Sequence, residues 1–121
     1  MFTVEIPGKP VPKARPRPGA RGWYVPSAKS QEAVAMYFMQ HRGRFPEGPV
    51  IVDTEFDVNP RSRADEDNLR KLVLDAMQNA GVFGNDHQVT GGTTARRIVS
   101  TGKERTVVHF GRPSFSHAES E

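Results

Sequence analysis

Hydrophobic and polar residues alternate in two segments of the chain, and each alternation predicts a half-buried β-strand. The first alternation places on one face Phe2, Val4 and Ile6. Pro7-Gly8 then ends this short strand. The second alternation places on one face Val50, Val52, Thr54, Phe56 and Val58. Its β-branched and aromatic residues favour a strand over a helix.

Residues 27–42 are predicted to form the first helix. Ser27 is a suitable N-cap, and Gly43 is a suitable stop after Arg42. Larger side chains recur at helical spacing along this segment and would form one face. That face consists of Val34, Tyr37, Phe38 and His41.

A second amphipathic helix is predicted from Asp67 or Asn68 to Ala80, and Gly81 ends it. At about 100° per residue, its buried face consists of Leu69, Leu72, Val73, Ala76 and Ala80. On the opposite, polar face lie Asp67, Asn68, Lys71 and Asp75. On a flank between the two faces lie Leu74 and Met77. This spare apolar surface predicts a contact with another element or with a second subunit.

Two more strands are predicted after the second helix. Segments Gln88–Val99 and Arg105–Phe110 are expected to pair with each other in antiparallel fashion, joined through residues 100–103. The element order is then strand, long loop, helix, strand, helix, strand, strand. This order predicts an α+β (mixed α/β) fold, with one mixed β-sheet of about four strands and two helices packed on one face.

The length of 121 residues favours a single domain, because two domains would each be short of core. We expect this domain to span residues 1–111. It contains a basic loop at 8–26 whose five prolines exclude a helix. Residues 112–121 are polar and are predicted to form a disordered tail.

The composition narrows the chemistry that the protein can use. The chain has no cysteine, which excludes disulfides, thiolate zinc sites and a cysteine nucleophile. Any metal site would use carboxylates and histidines, and these favour a hard, oxygen-liganded ion. No apolar run approaches the ~20 residues of a membrane span, and no signal-peptide pattern is present. We therefore expect a cytoplasmic protein.

The charges, which sum to +3, are unevenly distributed along the chain. The first 21 residues contain one acid, Glu5, and the basic residues Lys9, Lys13, Arg15, Arg17 and Arg21. Such an arm can bind a phosphate backbone, with an affinity that falls as salt rises. A proline-rich basic segment can equally be a solvated linker.

Acidic residues gather around the second helix instead. Asp65 and Asp67 stand two apart just before it, so in extended chain their side chains point the same way and can share an ion. If the next strand runs back beside the strand that ends at Val58, Asp86 comes near both. Three carboxylates would suit Mg²⁺, and Lys71 would add positive charge for a phosphate. The alternative is structural, with Asp67 as the helix cap and Lys71 as its i+4 partner.

Two motifs make the sequence similar to a known family. The motif D-x-D-N-x-x-K-x-x-x-D-A begins at Asp65, and G-V-x-x-x-D-x-Q-V begins at Gly81. Together with the preceding basic segment PVPKARPRPGARGWYVP, they resemble the RusA family of Holliday junction resolvases, which are small endonucleases usually of phage or prophage origin. The resemblance extends from Phe2 to Phe110.

The resemblance implies a Mg²⁺-dependent homodimer, with Mn²⁺ as an alternative ion, that nicks four-way DNA junctions symmetrically in recombination and repair. The implied catalytic residues are Asp65, Asp67, Lys71 and Asp86, of which the three acids bind the metal. The implied supporting residues are Asn68, which would orient the acids, Asp75, which would position Lys71, and Asn85 beside Asp86. The candidate DNA contacts are Lys13, Arg15, Arg17, Arg61 and Arg63. An isologous dimer would supply the two symmetric active sites that paired cuts require.

One position departs from the family pattern. The family commonly has two adjacent acids where this chain has Asn85-Asp86. If Asp86 is the ligand, the metal site is retained. If the first position were the ligand, Asn85 would weaken the site, because a neutral amide would replace a charge.

Three hypotheses follow. The leading one is a junction-resolving endonuclease. The second is a non-catalytic accessory protein that binds junctions or other nucleic acid and has lost hydrolysis through Asn85. The third is a metal-dependent nuclease for flaps, forks or RNA. Cleavage assays on these substrates at equal salt distinguish the three.

Overall fold

The computed structural model describes residues 1–13 and 27–113, which form one mixed β-sheet with two α-helices packed on the same face. The strands are β1 (Phe2–Pro7), β2 (Val50–Val58), β3 (Val89–Gly91), β4 (Thr94–Ile98) and β5 (Arg105–Gly111). The helices are α1 (Ser27–Met36) and α2 (Glu66–Ala80), with short 3-10 helices at Met39–His41 and Asp86–Gln88. This α+β arrangement confirms the predicted fold class. Neither α-helix in these described ranges is long and apolar enough to cross a membrane.

The sheet is organised around β2. Strand β5 pairs with β2 in antiparallel fashion and with β1 on its other side. Strands β3 and β4 both lie on the opposite edge of β2 and run parallel to it. The predicted hairpin of segments 88–99 and 105–110 is therefore wrong, because β2 lies between them. Helix α2 provides the crossover connection that parallel pairing of β2 with β3 and β4 needs. The short turn at residues 100–103 is compatible with a hairpin and does not show which strands pair.

The predicted strand at 88–99 is interrupted, so the sheet has five strands rather than about four. The break falls at Gly92-Thr93. Gly92 has a φ of 128°, and a Cβ atom at this position would clash with the carbonyl oxygen of Val52. Thr93 then donates its backbone N–H to Asp53 Oδ1 at 2.8 Å. The close approach of two backbones requires glycine here.

The hydrophobic core lies between the sheet and the two helices. The predicted inward faces of β2 and α2 are confirmed, since every residue named for them is buried. Met77, predicted to contact another element, is fully buried within this chain's own core, while Leu74 is partly buried against it. The sheet and α2 are thus fixed relative to each other by packing.

Helix α1 ends earlier than predicted. It stops at Met36, and the backbone N–H groups of Tyr37 and Phe38 bond to carbonyls three residues back. This tighter winding leaves Tyr37 43% exposed, whereas Phe38 and His41 are buried. The predicted helix was too long because the 3-10 turn after Met36 also directs the side chains of Phe38 and His41 into the core, at a spacing similar to that of an α-helix.

Helix α2 begins at Glu66, one residue before the predicted start, and Asp65 is its N-cap. The Asp65 side chain accepts the backbone N–H of Asp67 at 3.1 Å, so the alternative with Asp67 as the cap is wrong by two residues. Gly81, with a φ of 81°, ends the helix as predicted.

Buried His41 makes the free energy of unfolding depend on pH. Its ring lies 5.3 Å from Phe2 and 5.0 Å from Phe110 between centroids, and neither ring nitrogen has a hydrogen-bond partner among the described residues. Burial, and secondarily the Arg44 charge, lowers the pKa of His41. At acidic pH the unfolded chain then binds more protons than the folded chain. The stability that depends on neutral His41 is therefore complete above about pH 6.5 and is lost as pH falls toward the lowered pKa.

We therefore expect urea denaturation to report a loss of stability between pH 7.5 and pH 5.5 that is smaller in His41→Leu. The variant keeps an apolar side chain at the site and removes the titrating group. Equal slopes against pH in the two proteins would contradict this role for His41.

Candidate active site

Two neighbouring hollows border the N-terminal half of α2. The acidic hollow is lined by Asp65, Glu66, Asp67, Arg70, Thr94 and Arg96. The lysine hollow is lined by residues 89–92 and by Lys13, Arg70, Lys71, Leu74, Asp75 and Asp86. Arg70 belongs to both, so the hollows adjoin at this side chain. Together they bring three predicted acids and the predicted lysine to one edge of the sheet.

In the acidic hollow, Asp65 and Asp67 lie at the start of α2. The cap bond from Asp67 N–H to Asp65 Oδ1 holds the two residues together. Both side chains are exposed, so their oxygens are accessible to an ion or to solvent. The positive end of the helix dipole stabilises their negative charge.

Lys71 lines the lysine hollow and pairs with Asp67 of the acidic hollow. Its Nζ lies 3.1 Å from Asp67 Oδ2, and about half of each side chain is exposed (54% and 64%). An exposed i to i+4 pair of this kind contributes only about 0.3–0.5 kcal/mol to stability. The pair is therefore weak enough for Lys71 to leave Asp67 for a stronger anion such as a phosphate.

Asp86 lies in the lysine hollow as the first residue of the second 3-10 helix. The strand that follows Asp86 lies beside β2 but runs parallel to it, with Val89 beside Val50. Asp86 therefore lies toward the start of β2 and not, as the sequence argument required, beside its end at Val58. Within residues 1–13 and 27–113, no three His, Cys, Asp or Glu side chains are close enough to hold a metal ion together. The donor set of three exposed carboxylates nevertheless has the chemistry that hard divalent cations prefer.

Asn85 has a structural role that the motif did not reveal. Its Oδ1 accepts the backbone N–H of His87 at 2.7 Å, and the Gln88 side chain accepts the Asn85 N–H at 3.0 Å. This reciprocal capping box starts the 3-10 helix that carries Asp86. Asparagine is among the best residues for a cap. The side chain of Asn85 is thus committed to positioning its neighbour.

Asp75 has a partner different from the one expected. Asp75 pairs with Lys13, whose Nζ lies 2.9 Å from Asp75 Oδ2, while Lys71 pairs with Asp67. The Lys13 N–H also donates to the carbonyl of Asn68 at 2.9 Å. These two contacts anchor the start of the basic arm to α2, beside the lysine hollow.

Of the other four predicted DNA contacts, two lie within the described residues. Arg15 and Arg17 lie outside the described residues. Arg61 and Arg63 are exposed on the loop before α2. Arg61 lines a separate small hollow with Lys9, at the end of β2. Both arginines therefore have accessible charge on the side of the molecule where α2 begins.

Sequence reasoning missed two arginines that border the acids. Arg96 on β4 donates to the carbonyls of Ala64 at 2.9 Å and Ser62 at 2.9 Å, and so holds the loop that leads to Asp65. Arg70 donates to the carbonyl of Val52 at 2.8 Å. These contacts join residues that are distant in sequence, so local residue spacing could not predict them.

Acids, a lysine and arginines line two adjoining hollows along one edge of this α+β fold. Side chains of these types serve in phosphodiester hydrolysis. The family model of endodeoxyribonuclease RusA matches residues 7–110 of this chain. The crossover junction endodeoxyribonuclease RusA of Aquifex aeolicus (strain VF5) is 30% identical over 105 residues, covering 82% of this chain and 82% of that protein. The chain belongs to the RusA family of endodeoxyribonucleases, and the resemblance carried by the two motifs is confirmed.

Proposed function

We propose that this RusA-family chain resolves four-way DNA junctions, by hydrolysing one phosphodiester bond in each of two symmetric strands. The observation that carries the proposal is the grouping of Asp65, Asp67 and Lys71 on α2 beside the hollow that contains Asp86. The relative in Aquifex aeolicus is a crossover junction endodeoxyribonuclease, which supports the choice of substrate. Because the substrate is DNA, we expect the protein to act in the cytoplasm.

The proposed metal ligands are Asp65, Asp67 and Asp86, and the proposed ion is Mg²⁺, which Mn²⁺ could replace. When bound, the ion would polarise the phosphate and lower the pKa of a coordinated water. Mg²⁺ usually keeps several waters in proteins, so Asp86 need only bind the ion or one of those waters. The three residues contribute negative charge and oxygen donors to the proposed ion.

Lys71 provides the positive charge in this proposal. Its side chain lines the lysine hollow, and its ammonium group is within reach of Asp67. When DNA binds, Lys71 exchanges this weak pair for a phosphate oxygen. It then stabilises the negative charge that develops during hydrolysis.

DNA binding is assigned to five basic residues, namely Lys13, Arg15, Arg17, Arg61 and Arg63. Each neutralises backbone phosphate and contributes affinity that is lost at high salt. Paired symmetric cuts require two active sites related by a two-fold axis, so the functional unit is proposed to be a homodimer.

Variants at positions 85 and 86 identify which residue is the ligand. Asp86→Asn is expected to lower the cleavage rate by about 100-fold or more, because the amide removes one of three charges from the metal site. Asn85→Asp is expected to change the rate by less than about threefold, because Asp also serves as a cap. Single-turnover cleavage of a labelled junction measures both. A large gain in Asn85→Asp would assign the ligand to the first position instead.

The choice of substrate is tested by comparing a four-way junction, a fork, a flap and a linear duplex at equal salt with Mg²⁺. The proposal predicts cleavage of the junction at least about tenfold faster than of the others, since two symmetric sites engage only the junction. Faster cleavage of the fork or flap would support a nuclease for other branched DNA. Tight junction binding without cleavage of any substrate would support an accessory protein.

A further inference from the structure

Arg70 makes contacts that differ from those of the other arginines around the site. Its Nη1 donates to the carbonyl oxygens of Val52 at 2.8 Å and Thr93 at 3.2 Å. A longer contact of 3.5 Å joins the same nitrogen to Thr54 Oγ1. One corner of the guanidinium is thus fastened to β2 and to the break between β3 and β4.

The guanidinium has more donors than these contacts use. Arginine has five N–H donors, and all three contacts of Arg70 use Nη1. Nε and Nη2 have no acceptor within residues 1–13 and 27–113. The side chain lines both the acidic and the lysine hollow, which meet at this point. A fastened guanidinium with unused donors at the border of two hollows is preorganised for an anion.

The charge of Arg70 is maintained despite partial burial. Burial lowers the pKa of Arg70, while the charges of Asp53 and Asp67 act in the opposite direction. An arginine remains protonated in either case. It therefore contributes a permanent positive charge near Asp67, in addition to the charges of Lys71 and Arg96.

We propose that Arg70 binds a backbone phosphate of the DNA at the border between the acidic and the lysine hollow. The Val52 and Thr93 carbonyls hold one corner of the guanidinium, and the opposite edge donates to a non-bridging phosphate oxygen. The inference rests on the proposed function for the identity of the ligand as DNA. It assigns to Arg70 a direct contact with substrate, in addition to the tether that it forms between α2 and the sheet.

The test separates the phosphate contact from the tether. Junction binding is measured by fluorescence anisotropy in chelator, without cleavage, over a range of NaCl concentrations. Each phosphate contact contributes about 0.9 to the slope of log K against log[salt]. We expect Arg70→Gln to reduce the slope by about one unit per bound chain, whereas Arg70→Lys keeps it, since the ammonium retains the charge.

Arg42→Gln is the matched control, because it removes the same charge at the opposite end of α2. Arg42 is exposed and lies against Gly81, about 15 Å or more along the helix from Arg70. The salt slope of Arg42→Gln should equal that of the wild-type chain. Thermal melting by circular dichroism reports the loss of the tether in each variant independently of DNA.

Two outcomes would overturn the inference. One is an unchanged salt slope in Arg70→Gln together with a lower melting temperature, which would leave Arg70 as a tether only. The other is the same fall in slope in Arg70→Gln and Arg42→Gln, which would reflect net charge. Failure of the wild-type chain to cut the bound junction would refute the proposed function, but the slopes would still decide the role of Arg70.

Discussion

Asp67→Asn is expected to lower the rate of junction cleavage by about 1000-fold or more, while junction binding is retained or strengthened. A loss of this size corresponds to about 4 kcal/mol of transition-state stabilisation, within the several kcal/mol that a metal site supplies. Binding should not suffer, because the substitution removes a negative charge that faces phosphate. Single-turnover cleavage and a gel-shift assay measure the two effects separately.

The fold should tolerate this substitution. Asp67 is exposed, and its pair with Lys71 contributes only a few tenths of a kcal/mol. Glu32→Gln is the matched control, since Glu32 is an exposed acid on α1. Its cleavage rate should equal that of the wild-type chain. Loss of junction binding by Asp67→Asn, with an intact circular dichroism spectrum, would refute the assignment of Asp67 to the metal site.

Gly92→Ala is expected to destabilise the protein by about 3 kcal/mol or more and to abolish cleavage. The new Cβ would meet the backbone of Val52, which cannot move without displacing the central strand. The φ of 128° is also unfavourable for any residue other than glycine. Because Gly92 lines the lysine hollow, separation of β3 and β4 from β2 would displace the wall beside Asp86.

Gly102→Ala separates the two causes of this effect. Gly102 also has a positive φ, of 97°, but an added Cβ would meet no atom within 4 Å. Its cost is therefore limited to backbone strain of about 1 kcal/mol. Urea denaturation of both variants measures the difference. Equal losses of stability would show that the approach of Gly92 to Val52 is unimportant.

Hydrophobic periodicity and the residues that end helices and strands predicted much of the fold from the sequence. The inward face of β2 follows from its strict alternation, and the buried stripe of α2 follows from its helical spacing. Gly81 identified the end of α2 because a left-handed C-terminal residue strongly favours glycine. These signals are local, so a single sequence contains them.

Pairing between strands could not be predicted in the same way. A turn at residues 100–103 is compatible with a hairpin, yet β5 pairs with β1 and β2. That choice depends on how well β2 and β5 pack together beneath the helices, which is a property of distant residues. The break at Gly92-Thr93 likewise depends on the position of Val52.

The candidate site was partly predictable for a similar reason. Asp65, Asp67 and Lys71 lie within seven consecutive residues, so their grouping follows directly from the start of α2. Arg70 lies within the same stretch but was missed, because its partners are on β2 and after β3. The cap made by Asn85 was also missed, since the comparison with the motif concerned the missing charge at this position rather than the hydrogen bonds of its side chain to the backbone.

The most direct test of the central claim is incubation of the wild-type chain with a labelled four-way DNA junction and its matched linear duplex, with Mg²⁺ or with chelator, followed by a denaturing gel. The proposed function predicts paired, symmetric nicks near the crossover of the junction alone, which disappear in chelator. Cutting of the duplex at the same rate, or cutting that persists in chelator, would contradict a metal-dependent junction resolvase.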